Sequence, residues 1–297
     1  MSIFKGLEAI TQENFPLGPL TTFGIGGAAE YFIRPRTEDE LREVLARCAK
    51  AQLKVYTLGR GSNILVRDEG VKGAVIQLDP ETFGAVTIEE DLLRAGAAAP
   101  LAKVVAEAAR ASLSGVECLV GIPGSIGGGV RMNAGGTHGD IGQCVERVKV
   151  MDARGQTFYR ERDDLVFVYR SCNLAAPFVL EVELRLQKDG AKTIKNRMQK
   201  YWIVKKNSQP MNVASAGCTF KNPRGLPAGL LIDQAGLKGA LVGGAAISRK
   251  HANYIVIKDK AIAKAADVLA LVDQVRKAVE PRFSVTLELE IQVWPNP

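Results

Sequence analysis

At 297 residues, with 46% hydrophobic and 24% charged residues, the chain can bury a substantial core and has room for two or three domains. Thirty-nine Lys and Arg against 32 Asp and Glu give +7, spread along the chain without a basic cluster interleaved with aromatics, so no nucleic-acid partner is expected. Five widely spaced cysteines without a Cys-x-x-Cys argue against a disulfide scaffold or metal site, and no uncharged apolar run approaches the roughly 20 residues of a membrane span; with no signal-like amino terminus, a cytoplasmic protein with reduced thiols is expected.

In chain order, Thr37-Glu38-Asp39-Glu40 ahead of Leu41, Val44, Leu45 and Cys48 predicts a helix opened by a capping box, with Thr37 as N-cap and Glu40 as reciprocal partner. Residues 55–58 and 74–78 read as short strands, and Gly59-Arg60-Gly61-Ser62-Asn63 is a glycine-rich turn after the first. Pro100 opens a predicted helix through Leu101, Val104, Val105 and Ala108, with Gly115 as its stop. Residues 145–151 and 178–186 read as strands, and 192–206 as a strongly basic helix ending before Pro210. Beyond it come a helix at 226–237, a strand at 253–258 and a helix at 263–279. The final strand, 285–293, has Val285, Leu287, Leu289, Ile291 and Val293 alternating with Thr286, Glu288, Glu290 and Gln292.

The densest signal is the run Gly121-Ile122-Pro123-Gly124-Ser125-Ile126-Gly127-Gly128-Gly129-Val130-Arg131-Met132-Asn133-Ala134-Gly135-Gly136. Seven of its sixteen residues are glycine, yet Ile122, Ile126, Val130 and Met132 set it apart from a polar linker. Successive unobstructed N–H groups can cradle a diphosphate. Neither this run nor residues 59–63 has the Gly-x-Gly-x-x-Gly form of a dinucleotide fold or the Gly-x-x-x-x-Gly-Lys-Ser/Thr form of a P-loop. A backbone cradle assembled from separate loops is the reading left.

Three further segments carry reactive groups. Tyr169-Arg170 sets a guanidinium, the preferred partner of carboxylates and phosphates, beside a phenol. Ser215-Ala216-Gly217-Cys218-Thr219-Phe220-Lys221-Asn222-Pro223 presents a thiol among small and polar residues, and Glu288 and Glu290 share one strand face. Singly, each has an ordinary explanation: a surface ion pair, a small core residue and a solvated face.

Taken together with Thr21-Thr22-Phe23-Gly24-Ile25-Gly26-Gly27, these segments resemble the UDP-N-acetylenolpyruvoylglucosamine reductase (MurB) family of bacterial peptidoglycan synthesis, in the family's order and over nearly the whole chain. The short span from Tyr169 to Cys218 is similar to the compact, type II-like branch, which lacks a substrate-covering insertion. The resemblance implies an α+β fold. Residues 1–85 and 86–190 would be two FAD-binding subdomains of the PCMH, or vanillyl-alcohol-oxidase, type. Residues 191–297 would be an α+β substrate-binding domain.

It also implies non-covalent FAD, NADPH as hydride donor and UDP-N-acetylglucosamine enolpyruvate as substrate, with no metal, no nucleic acid and no membrane. Gly59, Gly61, Ser62 and Asn63 would line the diphosphate with Gly121, Ile122, Gly124, Ser125 and Gly127, and Asn133, Ala134 and Gly135 would continue along the flavin. In the family, hydride passes from flavin N5 to substrate C3 and a proton is added at C2. By resemblance Arg170 and Glu290 stabilise the developing charge, Tyr169 holds the substrate, and Lys206 and Asn222 contact the nucleotide or its phosphates. Cys218 stands where the family commonly has its proton-donating serine; a thiol is the more acidic group and can serve as general acid. Glu290 is preferred to Glu288 by motif position, since strand periodicity alone does not separate them. Arg60 replaces a usual glycine. His251 is expected to be structural, and His138 a loop residue near the flavin. Readings left open beside this one are a sugar or alcohol oxidase of the same flavin class and a non-catalytic nucleotide-binding protein.

Overall fold

The computed structural model describes residues 3–223 and 225–295. By internal contacts the chain divides into two compact units: Met1–Glu13, Tyr31–Arg60 and Gly73–Lys205 form the first; Asn14–Glu30, Gly61–Lys72 and Lys206–Pro297 form the second. The division expected at residues 85 and 190 follows the order of the chain. Grouped by contacts, those first two regions fall largely together, and two N-terminal segments join the C-terminal residues.

In the first unit, α1 (Glu38–Lys50) starts as its sequence requires. Thr37 Oγ1 accepts the Glu40 N–H at 3.0 Å, while the Glu40 carboxylate reaches back to the N–H of Arg36 at 2.6 Å, one residue earlier than the expected partner. Leu41, Val44, Leu45 and Cys48 form its buried face. The strand Val55–Thr57 pairs in parallel with Val71–Ile76, which puts the turn beginning at Gly59 at the carboxyl end of a parallel pair. Helix α2 (Leu101–Arg110) buries Leu101, Val104, Val105 and Ala108. It ends well before Gly115, because Ser112 already turns the chain at φ 57°. A five-stranded antiparallel sheet follows in the order Thr157–Glu161, Val145–Met151, Phe178–Arg185, Leu92–Gly96 and Val86–Glu89. Its inward residues Leu93, Ala95, Val148, Val150, Val182 and Leu184 join the face of α2 in one core. Helix α3 (Ile126–Arg131) lies within the glycine run, and α4 (Ala191–Ser208) is the predicted basic helix. None of the five cysteines is in a disulfide; burial pushes the Cys48 and Cys118 thiols up to about 11 and that of Cys144 to about 12, so these three are inert near neutral pH.

The second unit packs α5 (Ala228–Gln234) and α6 (Ala265–Phe283) with a three-stranded antiparallel sheet, Leu241–Val242, Ala245–Ile247 and Ile255–Ile257. Leu231, Ile232, Ile247, Ile255, Leu271, Val275 and Val279 form its core with Phe23, Leu65 and Phe220. The continuous strand expected at 285–293 is not formed. Leu289 makes an isolated bridge with Phe220, and only Gln292–Trp294 is a strand, parallel to Ile64–Val66. The segment changes partners at a bend at Glu290–Ile291, from residues 219–221 to residues 64–66, and one alternating pattern cannot span both ladders. The apolar positions still turn inward: Leu287, Ile291 and Val293 are buried.

Candidate active site

In the first unit the glycine run builds a short helix into a loop. Gly121 and Gly124 adopt φ 73° and 138°, and Ser125 caps α3 by accepting the Gly128 N–H at 3.4 Å. Gly127 and Gly129 serve packing: a Cβ on Gly127 would lie 2.9 Å from that of Ala97, and one on Gly129 3.2 Å from Leu101. The amides of Ile126 and Gly127 donate to Ala99 at 2.9 Å and Ala97 at 3.0 Å. Gly124 and Ser125 are different: among the described residues, no acceptor takes their N–H groups. Gly59 lies alongside, where a Cβ would stand 2.8 Å from Ser125 Oγ. Its own N–H and that of exposed Arg60 also lack an acceptor among the described residues. Backbone donors that face no protein acceptor, next to a glycine where a side chain would crowd the Ser125 hydroxyl, suit an anion.

The later part of the run is joined to the reactive hairpin. Asn133, buried at φ 42°, accepts the Gly142 N–H through Oδ1 at 3.1 Å and donates from Nδ2 to Val168 O at 3.1 Å. Ala134 donates to Gly129 O at 2.7 Å and accepts from Ile141. Gly135 O accepts a hydrogen bond from Arg170 Nη1 at 3.0 Å. Tyr169 and Arg170 form the two-residue turn between the paired strands Phe167–Val168 and Ser171–Cys172. Arg170 is left-handed there, at φ 57°, where glycine or asparagine is the relaxed choice. Tyr169 is exposed, with its ring 5.2 Å from the Arg170 guanidinium carbon. The conformation is held at a cost of about 1 kcal/mol or more.

Sequence reasoning did not single out two residues nearby. Lys205 donates to Cys118 O at 3.1 Å and Val120 O at 2.7 Å, immediately before Gly121. Burial, with the positive charge of Arg170 adding to it, brings its ammonium down to about 8. Arg131, half-buried, donates to the carbonyls of Leu174, Ala176 and Pro177. His138 lies in an exposed loop, stacked on Tyr201 at 4.0 Å.

The second unit holds the remaining groups. Gly61, at φ 61°, lies flush against the backbone: a Cβ there would meet Leu20 O at 2.1 Å. Among the described residues the N–H groups of Gly61, Ser62 and Asn63 find no acceptor. Asn63 Nδ2 donates to Glu290 O at 2.9 Å, and the Glu290 N–H donates to Thr219 O at 2.9 Å. These bonds hold the Cys218–Thr219 segment beside Glu290. Buried Asn253, another residue the sequence reading passed over, clamps the same segment. It accepts the Phe220 N–H at 2.9 Å, donates to Phe220 O at 2.8 Å, and takes the Thr219 N–H on its own carbonyl at 2.7 Å. Cys218 is half-buried and in no disulfide, and it follows Gly217, whose Cβ position is open.

Thr219 Oγ1 is buried without a hydrogen-bond partner. Glu288 is exposed and pairs with Lys221 at 3.2 Å, whereas Glu290 is half-buried. The structure thus distinguishes the two carboxylates that periodicity leaves equal. Asn222 accepts the Ala228 N–H at 2.9 Å at the start of α5. Lys206 is exposed, and its carbonyl accepts from Lys250. His251 Nδ1 accepts the Asn253 N–H at 3.3 Å, and burial pulls its imidazole below the ordinary histidine value. Among the described residues there is no group of three or more His, Cys, Asp or Glu placed to hold a metal, and no helix long and apolar enough to cross a membrane.

Two family models match the chain: the FAD binding domain over residues 29–159, and the UDP-N-acetylenolpyruvoylglucosamine reductase C-terminal domain over residues 209–294. A UDP-N-acetylenolpyruvoylglucosamine reductase of Clostridium botulinum (strain 657 / Type Ba4) is 38% identical over 280 residues, 94% of this chain and 90% of that protein. One of Desulfosudis oleivorans is 39% identical over 292 residues, 94% and 92% of the two chains. Among solved structures, the UDP-N-acetylenolpyruvylglucosamine reductase of Thermus caldophilus aligns with a TM-score of 0.82 at 40% identity, covering 94% of this chain and 97% of that one. A glucose dehydrogenase, Phl p 4.0202, shares the fold over 64% of this chain and 45% of its own, with a TM-score of 0.50 at 14% identity.

Proposed function

Because the chain belongs to the UDP-N-acetylenolpyruvoylglucosamine reductase family, we propose that it is a flavoenzyme that uses NADPH to reduce UDP-N-acetylglucosamine enolpyruvate to UDP-N-acetylmuramate. NADPH as reductant assigns the reaction to the cytoplasm. The observation that carries the reading is the bond from Glu290 N–H to Thr219 O at 2.9 Å, which holds a thiol segment beside a half-buried carboxylate.

The residues present fit FAD. Gly59, Gly124 and Ser125 offer N–H groups without protein acceptors, and so do Gly61, Ser62 and Asn63. Gly121 and Ile122 shape the turn ahead of them. Gly127 assists by letting α3 approach residue 97, and Asn133, Ala134 and Gly135 hold the adjoining wall. When bound, the flavin supplies hydride transfer from NADPH to C3 of the enolpyruvyl group.

The chain's own residues do the rest. Addition at C3 builds negative charge across C2 and the carboxylate, and a preorganised cation stabilises charge as it develops. Arg170, fixed in its turn by Gly135 O, takes that role, and Glu290 completes the acidic side of the site. Cys218 holds the proton on Sγ and delivers it to C2. Tyr169 supports the substrate, and Lys206 and Asn222 receive its nucleotide and phosphates. The three-region division at residues 85 and 190 describes how these ligands are shared.

The test is a pair of half-reactions. In Cys218→Ala, NADPH should reduce the flavin at the wild-type rate. Reoxidation by the enolpyruvyl substrate should slow by about 10²- to 10⁴-fold, the usual contribution of a positioned acid. Reoxidation at the wild-type rate would remove Cys218 from the mechanism.

A further inference from the structure

A cavity of about 190 Å³ in the first unit is lined by Ile10, Gln12, Phe32, Arg34, Arg36 and Asp79. Two guanidinium groups face it, and among the described residues neither forms an ion pair. Arg34 Nε is buried with no hydrogen-bond partner, while Arg36 Nη2 donates to Ala9 O at 3.1 Å. The one carboxylate on the wall, Asp79, accepts the N–H groups of Glu81 at 2.9 Å and Thr82 at 3.3 Å through Oδ1 and keeps its negative charge. Arg34 Nε is closed off from the cavity and the Arg34 guanidinium lies 5.3 Å from the Phe32 ring centroid, so an anion in the cavity would meet the terminal guanidinium N–H groups. Two guanidinium groups against the one Asp79 carboxylate leave the wall with one positive charge in excess, which favours an anion, and the guanidinium fork matches phosphate oxygens.

The cavity is wired to the loop that begins at Gly59. Arg34 Nη2 donates to Gln77 Oε1 at 2.8 Å, and Gln77 Nε2 donates to Gly59 O at 2.7 Å. An anion that immobilises the Arg34 guanidinium also fixes the Gln77 amide, and with it the carbonyl whose residue borders Ser125. We propose that the Arg34–Arg36 cavity binds a phosphate-type oxyanion and that its occupancy tightens the hold on FAD through Gln77. The second half of this statement rests on the flavin reading of Gly59; the first half does not.

Two measurements on the full-length protein test it. Inorganic phosphate and glycerol 3-phosphate are titrated with phosphorus NMR line broadening as the readout. Binding of either should be saturable, abolished in Arg34→Met and weakened in Arg36→Met, and unchanged in Gln77→Leu. Because Arg36 is exposed, its variant keeps the test open if Arg34→Met destabilises the fold. Flavin release from the yellow holoenzyme should slow by about fivefold or more in saturating phosphate, a coupling of ordinary size between linked sites, and the effect should vanish in Gln77→Leu. The proposal is overturned by failure of the wild type to bind either anion, by binding that survives in both arginine variants, or by linkage that survives in Gln77→Leu. Faster flavin release in phosphate would also overturn it, since that sign marks competition at the diphosphate cradle. The anion titration needs no flavin, so a colourless protein would defeat the flavin reading without touching the cavity's occupant.

Discussion

Arg170 shows what single residues reveal that patterns do not. Its guanidinium was legible in the sequence as a candidate anion partner, but its left-handed backbone at φ 57° was not, since nothing in Phe167-Val168-Tyr169-Arg170-Ser171 announces a two-residue turn. Replacing it with glycine relieves that strain while removing the hydrogen bond to Gly135 O. Arg170→Gly is expected to stay within about 1 kcal/mol of wild-type stability in urea titrations. Its substrate-dependent flavin reoxidation should fall about 10²-fold or more. A large loss of stability with normal reoxidation would make Arg170 a structural residue. Glu288 and Glu290 teach the converse: periodicity treats them alike, while in the structure Glu288 is exposed beside Lys221 and Glu290 is half-buried.

Elements were most legible where one apolar face decides them. Helix α1 and its Thr37 cap, helix α2 and the strand Val145–Met151 follow directly from spacing. The carboxyl-terminal strand did not, because its residues alternate correctly but serve two partners in turn. In α3 the glycines looked alike in sequence, and only packing separates them. Gly127→Ala places a methyl 2.9 Å from Ala97 Cβ, whereas Gly128→Ala meets nothing closer than Ser125 Oγ at 3.5 Å. The first should destabilise by about 1–3 kcal/mol and weaken flavin binding, and the second should cost less than about 1 kcal/mol, both read by thermal melts with and without FAD. Equal effects would remove the close approach of α3 as the reason for Gly127.

Helix α4 carries a pH signature through Lys205. Its folded value, about 8, lies below the ordinary 10.5 because burial disfavours the charged form. Between these two values the unfolded chain binds more protons than the folded one. Stability therefore gains with rising pH across that window, and below it the cost of burying the charge is present in full. Lys205→Met should abolish that gain when urea midpoints are compared from about pH 8 to about pH 10.5. A variant with the same slope as wild type would mean that Lys205 is solvated.

At the scale of the molecule, the family and its FAD binding domain were readable because glycine density and motif order survive in one dimension. The partition into compact units was not. Two N-terminal segments, Asn14–Glu30 and Gly61–Lys72, belong with residues more than a hundred positions away, and contacts of that range leave no local mark. The Asn253 clamp on Thr219 and Phe220 was hidden for the same reason. The central claim is that this whole chain is a two-stroke reductase, with hydride entering from NADPH and leaving to the enolpyruvyl UDP-sugar. Anaerobic stopped-flow absorbance of the purified protein tests it most directly. NADPH should bleach the yellow flavin band, and the UDP-sugar, added alone after NADPH is exhausted, should restore it in a single turnover with formation of UDP-N-acetylmuramate. A colourless protein, or reduced flavin that the UDP-sugar leaves bleached, would contradict the account.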